Sequence, residues 1–282
     1  MTRSTYSRRF RLDQRQRTWL LLGVTVLLLV GIGVSGAFLR EQGMETDLTQ
    51  KNLAPSGRYL FGTDALGRDM LCRTLTGLSR SICLGLWTAA ASALLALTLA
   101  VAGAVGGKKL DAAVSFLTSL CLGVPHILLL LLISYACGKG VLGVTVGVTL
   151  SHWPSLSRVL RAEVWQVGSS IPVQIAFRLG RSRWGVVRDH LLPHLFPQFL
   201  TGAILLFPHV ILHEASVTFL GFGLPPDQPS IGGILSESMG YLTLGYWWLA
   251  LFPGLLLLGT VLLFHVLGEG VRRLLDPASA HL

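Results

Sequence analysis

Six apolar runs, each between 15 and 24 residues long, are the feature that most limits what this chain can fold into. The runs are residues 19–38, 82–105, 114–137, 141–156, 199–213 and 246–267. A bilayer core roughly 30 Å thick is crossed by about 20 residues of helix, which satisfies its own backbone polar groups in lipid. Only 13% of the 282 residues are charged, against about 25% in an ordinary soluble domain. The sequence therefore predicts an all-α polytopic membrane protein with about six transmembrane helices.

The positive charges indicate how the chain crosses the membrane. Sixteen of the 23 lysine and arginine residues fall in segments 1–18, 106–113, 157–197 and 268–282, which alternate with the other connections. Lysine and arginine in short connections are retained in the cytoplasm. We therefore predict that both termini are cytoplasmic and that the long segment 39–81, which is nearly balanced in charge, is external.

This orientation divides the chain into five parts. They are a cytoplasmic basic tail at 1–18, a first transmembrane helix at 19–38, an external segment at 39–81, a transmembrane domain at 82–273 and a cytoplasmic tail at 274–282. A basic start before an apolar run also occurs in signal peptides, but this run exceeds their usual 7–15 residues. The net charge of +9 flanks the apolar runs, which favours a lipid bilayer over nucleic acid as the partner.

Segment 170–193 carries the most informative local pattern. Pro172 suits the first turn of a helix, and Gly180 suits the position just after a helix end. Ser182 can cap a second short helix, which we expect to stop at Pro193. The segment therefore predicts two short cytoplasmic helices that meet at a glycine.

This spacing resembles the EAA loop of type I ABC importer permeases. The family pattern is Glu-Ala-Ala, three residues, Gly, nine residues, Ile, one residue, Leu-Pro. Ala176, Gly180, Leu192 and Pro193 fit it, whereas Gln174, Ile175 and His190 differ from it. The resemblance implies that residues 170–193 are the coupling loop that docks into a cleft on the ATP-binding subunit.

Three further segments resemble the dipeptide/oligopeptide/nickel subfamily. Residues 61–69, Phe-Gly-Thr-Asp-Ala-Leu-Gly-Arg-Asp, are similar to its GTDxLGRD segment. Residues 214–229 contain Phe-Leu-Gly-Phe-Gly and Pro-Pro, and residues 267–277 are similar to its LGDGLRDxLDP ending. The single span before the long external segment is typical of the C-type subunit of the permease pair.

The resemblance implies a type I ABC importer permease fold in a bacterial or archaeal cell membrane. It implies a second permease subunit, two ATP-binding subunits and an external substrate-binding protein as partners, and alternating access driven by ATP. The chain has no GxxxxGK[ST] segment for ATP, so it is expected to be a transport subunit rather than an enzyme, without a cofactor. Peptides and nickel remain open as substrates.

Polar residues within or beside the spans are the remaining site candidates. Asp64, Arg68 and Asp69 could shape an external gate, or could simply form a turn in which an aspartate pairs with Arg68. Glu214 falls in a subfamily segment and is a gate candidate on that ground. Ionisable groups at membrane depth are functional candidates by default.

The histidines raise a separate question. His209 and His213, four residues apart on one predicted helix, could ligate a metal ion on a nickel pathway. They could equally form single hydrogen bonds between helices. His126, His152 and His265 also lie near or within predicted spans.

Two other classes of protein compete with the importer hypothesis. A secondary transporter or channel working alone would predict inverted repeats or more spans, and neither is evident in the sequence. A membrane-embedded enzyme would be expected to show a familiar catalytic motif such as HExxH or GxSxG, and the sequence contains neither.

Overall fold

The computed structural model describes residues 14–225 and 227–275, and regular structure in these ranges is helical. The α-helices are α1 (Gln14–Phe38), α2 (Met70–Gly106), α3 (Lys108–Gly123), α4 (His126–Ala136), α5 (Gly140–Gly168), α6 (Ile171–Arg178), α7 (Arg183–Val186), α8 (Leu192–Phe219), α9 (Ile231–Leu242) and α10 (Trp248–Leu275). A 3₁₀ turn at Leu48–Gln50 and a π-helical turn at Val187–Leu191 complete the set. The prediction of an all-α protein is confirmed. Most of the basic tail 1–18, residues 276–282 of the tail 274–282, and Pro226 of the Pro-Pro pair lie outside the described residues.

Among the described residues, four helices are long and apolar enough to cross a membrane. They are Arg15–Phe38, Met70–Gly106, Arg183–Phe219 and Trp248–Leu275. A fifth crossing is possible if α3 and α4 act together, although the two helices meet at an angle of 101°. The predicted third span, 114–137, is therefore broken. Val124 has the extended conformation that a residue before proline prefers, and Pro125 starts the new helix direction.

The predicted fourth span, 141–156, forms the first part of α5. Its mixture of apolar and polar residues is less apolar than that of the other long helices. This helix is 29 residues long but carries His152, Arg158 and Arg161 and several hydroxyl side chains. It is not among the four or five apolar spans found in the described part of the chain. Length and composition alone thus select four or five of the about six predicted spans in the described residues, and α5 is the one that they do not select.

The prediction that the second short helix ends at Pro193 is wrong. Helical structure runs from Arg183 through the π turn into α8, and ends at Phe219. Pro193 lies inside this continuous helix, just after the π turn, and not at a helix start. The N–H of Leu192 bonds to the Val187 carbonyl five residues back, and this wider turn carries the helix past the proline.

The longer helices pack around α2 and α8. α2 presents small residues, including Ala93, Ala96 and Ala100, to the part of α5 that contains Leu156 and Leu160. Small side chains allow the close backbone approach on which helix association in lipid depends. A second cluster joins α2, α5, α8 and α10, with Phe207 stacked on Phe264 at a centroid distance of 3.6 Å.

Large apolar side chains cover much of the outer surface of this bundle. Leu27 of α1, Trp87 of α2 and Leu132 of α4 are 72%, 73% and 66% exposed. Exposed apolar surface on this scale is costly in water and is expected for helices that face lipid or another membrane subunit. The packing thus agrees with a membrane protein whose helices have further neighbours.

Candidate functional site

The short helices α6 and α7 form a small folded unit of their own. Val173 and Ala176 of α6 are buried against Val186 of α7 and against Val167 at the end of α5. Pro172 lies in the first turn of α6, as the sequence predicts. Residues 170–193 therefore form a defined protrusion at the end of α5 and α8, rather than an irregular linker.

Gly180 makes the turn between the two helices. Its φ is +81°, a conformation that glycine adopts at little cost. The N–H of Gly180 bonds to the Phe177 carbonyl, and the N–H of Arg181 bonds to the Ala176 carbonyl, both at 3.1 Å. This pair of bonds is the Schellman pattern of a helix end, and it confirms that Gly180 terminates α6.

Ser182 and an ion pair fix the start of α7. The Gly185 N–H donates to Ser182 Oγ at 3.1 Å, which confirms Ser182 as the helix cap. Arg181 Nη1 lies 2.7 Å from Asp189 Oδ2, in an exposed pair. Arg183 Nη1 donates to the Val105 carbonyl at 3.0 Å, so the protrusion also touches the end of α2.

Large apolar side chains are exposed on the outer face of the protrusion, beside Arg181 and His190. Ile171 and Leu179 are 73% and 79% exposed, and Trp184 is 59% exposed. Ile171, Ile175 and Leu179 line a groove of about 540 Å³ that also borders Gly180. Surface of this kind typically marks a site of protein association.

The other predicted members of the loop take different positions. Gln174 is exposed, and its Nε2 donates to the Ser169 carbonyl at 2.9 Å across the α5–α6 turn. Ala176 is buried in the small core, and Leu192 is half-buried at the start of α8. Pro193 is exposed beside it. The structure brings Ala176 and Gly180 together, whereas Leu192 and Pro193 belong to the following long helix.

Asp64 organises the segment before α2. It is buried and accepts hydrogen bonds from the backbone N–H groups of Leu66 and Arg68 at 2.8 and 3.0 Å. Arg68 Nε lies 2.7 Å from Asp64 Oδ2, so the expected structural pairing of an aspartate with Arg68 is confirmed. Arg73 of α2 is also buried and forms two ion pairs. Its Nη1 lies 3.1 Å from Asp64 Oδ2, and its Nη2 lies 2.6 Å from Glu237 Oε2 on α9.

Asp69 acts as the cap of α2 rather than as a partner of Arg68. Its Oδ1 accepts from the N–H groups of Leu71 and Cys72 at 2.7 and 3.2 Å. Gly67, with φ of +76°, lies against the Asp47 backbone, where a β-carbon would not fit. Sequence reasoning missed Arg73 and Glu237, which are distant from Asp64 in sequence but complete its ion-pair network.

Glu214 is enclosed between helices. The residue is 1% exposed on α8, and its Oε1 accepts a hydrogen bond from Thr218 Oγ1 at 3.0 Å. The hydroxyl of Ser81 on α2 lies near the carboxyl group, whereas Glu214 Oε2 is buried without a hydrogen-bond partner among the described residues. Glu214 is therefore enclosed where α8 packs on α2, and it does not meet the Asp64 network.

The histidines do not pair as their spacing suggests. His213 lies beside His126 of α4 and His152 of α5, with ring centroids 4.5 and 5.2 Å away. His209, one turn earlier on α8, is exposed and is not part of this close group. His265 of α10 is exposed as well. No sequence motif could identify the three-histidine group, because its members are 26 and 61 residues apart.

Comparison with known proteins supplies the family. The family model described as "Binding-protein-dependent transport system inner membrane component" matches residues 81–281, from early in α2 through the protrusion to the C-terminal end. The chain belongs to this family. It is therefore a membrane permease subunit of a binding-protein-dependent ABC transport system.

Individual relatives of this permease match beyond the family model. The dipeptide transport system permease protein DppC of Bacillus subtilis is 30% identical over 259 residues, which is 91% of this chain and 81% of the relative. The probable D,D-dipeptide transport system permease protein DdpC of Escherichia coli is 28% identical over 278 residues, with 95% and 93% coverage. These alignments are longer than residues 81–282, so the similarity includes part of the region before the family match.

A solved structure supports the type I importer fold. A chain of the MetNI methionine ABC transporter in an inward-facing conformation superposes with a TM-score of 0.59. The match covers 73% of this permease and 98% of that chain, at 16% sequence identity. The fold implied by the resemblance of residues 170–193 to the EAA loop is thus confirmed.

Proposed function

We propose that this permease forms half of the transmembrane pathway of a peptide importer in a bacterial or archaeal plasma membrane. A second permease subunit would complete the pathway, two ATP-binding subunits would drive it, and an external binding protein would deliver the substrate. Peptides are favoured over nickel because relatives with high coverage, such as DppC and DdpC, are named as dipeptide permeases.

The observation that carries the proposal is the exposed apolar face of the α6–α7 protrusion. We assign this face, with Gln174 at its side and Gly180 at its turn, as the surface that enters the ATP-binding subunit. Ile171, Ile175 and Leu179 would be covered in the complex. Their burial would remove apolar surface from water at about 25 cal/mol per Å².

The continuity of α7 with α8 suggests how movement of the ATP-binding subunits reaches the pathway. The helical segment Arg183–Phe219 is 37 residues long and begins within the protrusion. A displacement of α7 would therefore move α8, which packs on α2, α5 and α10. Such rigid-body movement would switch the bundle between inward-open and outward-open states.

Deletion of the gene in its native host tests the choice of substrate. We expect uptake of a radiolabelled dipeptide or tripeptide to fall to the level of a strain lacking the ATP-binding subunit, and the intact gene to restore it. Uptake of ⁶³Ni²⁺ should be unchanged. Normal peptide uptake combined with lost nickel uptake would overturn the peptide assignment.

Reporter fusions test the proposed orientation. Fusions at Arg17, Lys109, Ser182 and Ala280 are expected to be active as cytoplasmic reporters, because lysine and arginine concentrate in those segments. Fusions at Asn52 and Gln228 are expected to be active as external reporters. A cytoplasmic signal at Gln228 would contradict the proposed path of α8, α9 and α10.

A further inference from the structure

Three histidines from three different helices meet inside the bundle. His126 is the first residue of α4, directly after the bend at Pro125, while His152 lies on α5 and His213 on α8. One ring nitrogen of each lies within 4.8 Å of the corresponding nitrogens of the other two. The rings of His126 and His152 are perpendicular, with centroids 4.5 Å apart.

Hydrogen bonding determines which nitrogen of His152 is available. Its Nδ1 lies 2.9 Å from the carbonyl oxygen of Val148, which can only accept, and 3.0 Å from Ser151 Oγ, which itself donates to Val148, so the tautomer with the proton on Nδ1 satisfies these contacts. In the neutral ring the Nε2 atom then holds a free lone pair. His152 is 4% exposed, and this Nε2 has no hydrogen-bond partner among the described residues.

His126 shows the same feature. Its Nε2 is also buried without a hydrogen-bond partner in the described part of the chain. An unpaired polar atom in the interior is unfavourable, and native proteins seldom keep one without a reason. Two such atoms, one from each of two neighbouring imidazoles, indicate a shared ligand.

We propose that His126, His152 and His213 form a binding site for a divalent transition-metal ion of the Zn²⁺, Co²⁺ and Ni²⁺ class. Neutral imidazole is a preferred ligand of these ions, and a site made only of histidines discriminates against Mg²⁺ and Ca²⁺, which prefer oxygen. The bond from His152 Nδ1 to the Val148 carbonyl is the kind of outer contact that orients a metal-bound histidine.

The geometry needs only a small adjustment to accept the ion. Metal–nitrogen bonds of about 2.0–2.1 Å place the nitrogens of a tetrahedral site about 3.4 Å apart. The three nitrogens lie within 4.8 Å of one another, so they have to approach by up to about 1.4 Å, a distance that rotation of the side chains can supply. Three ligands leave a fourth position open to water or another donor.

Metal binding would add a link between α4 and α8, which make few direct contacts, whereas α5 packs closely on both. α4 follows the sharp bend after α3, and its Leu130 shares a core with side chains of α5 and α8. An ion held by all three histidines would fix the start of α4 against α5 and α8. The site does not depend on the peptide assignment, because an ion can be bound without being transported.

Titration of the purified full-length chain with Co²⁺ tests the proposal. In detergent, and with any affinity tag removed, the wild-type protein should bind one equivalent and develop visible d–d absorption bands. Zn²⁺ should displace the Co²⁺ and abolish the bands. His152→Gln and His213→Gln should each weaken Co²⁺ binding by about 100-fold or more, because loss of an outer partner alone costs 10–100-fold.

His265→Gln is the matched control, since it removes an exposed histidine from a long apolar helix outside the cluster. It should bind Co²⁺ like wild type. His209→Gln should also bind like wild type, which separates the cluster from the pair suggested by sequence spacing. Size-exclusion chromatography checks that each variant is folded. If the buried His152→Gln variant does not fold, His213→Gln still tests the site, because His213 is only half-buried.

Two results would overturn the proposal. One is a wild-type protein that shows no stoichiometric binding and no d–d bands at micromolar Co²⁺. The other is binding that survives in both His152→Gln and His213→Gln. Neither result would affect the peptide proposal, because peptide uptake is measured separately in cells.

Discussion

Replacement of Gly180 by leucine is expected to leave the permease at its normal level in the membrane but to prevent stable association with its ATP-binding subunit. The φ of +81° disfavours any residue with a β-carbon by about 1–2 kcal/mol. A β-carbon at Gly180 meets no atom of the described residues within 4 Å, so the substitution does not clash within the chain itself. The leucine would instead project beside the groove lined by Ile171 and Leu179, where the partner is proposed to bind.

Two control variants separate backbone strain from interference with the partner. Gly138 also has a positive φ, +93°, and open space around it, but it lies in the α4–α5 turn. Gly138→Leu should therefore match Gly180→Leu in strain and still copurify with the ATP-binding subunit. Gly180→Ala should show a partial defect. Full copurification and full uptake for Gly180→Leu would contradict the assignment of the protrusion as the coupling surface.

Among single substitutions in the segment before α2 and in the side chains that contact it, removal of the Arg73 guanidinium is expected to destabilise the protein most. Arg73 and Asp64 are both buried, and Arg73 also binds Glu237 on α9. Loss of one partner from a buried ion pair costs about 3–5 kcal/mol where it leaves the other charge uncompensated, and because Asp64 keeps Arg68 as a second partner, the cost here should lie below that range. Arg73→Met should therefore markedly lower the midpoint of thermal unfolding in detergent.

Arg181→Met is the matched control for this experiment. It removes the same functional group from an ion pair with Asp189, in which the side chains are 61% and 38% exposed. Such exposed pairs contribute about 0–1 kcal/mol, so the unfolding midpoint should shift little. Equal shifts for the two variants would show that the Asp64 network is not the structural element that we infer.

Local patterns in the sequence predicted the features that depend on neighbouring residues. The apolar runs located α1, α2, α8 and α10, because lipid requires long uncharged helices. Gly180 and Ser182 marked a helix end and a helix start, since each acts on backbone groups within a few residues.

Features that depend on distant residues or on helix direction were not predictable in this way. Pro193 suggested a helix end, but a π turn upstream allows the helix to continue past it. The segment bends by 101° at Pro125, and no residue pattern specifies that angle. His213 was paired with His209 by spacing, whereas packing places it beside His126 and His152.

Reconstitution of the whole complex tests most directly whether this chain is one of two permease subunits of an ATP-driven peptide importer. The permease would be purified with its second permease and ATP-binding subunits, placed in proteoliposomes, and supplied with its peptide-loaded binding protein. We expect peptide accumulation that requires ATP, is stimulated by the binding protein, and is lost with Gly180→Leu. Peptide transport by this chain alone, without ATP or an ATP-binding subunit, would contradict this expectation.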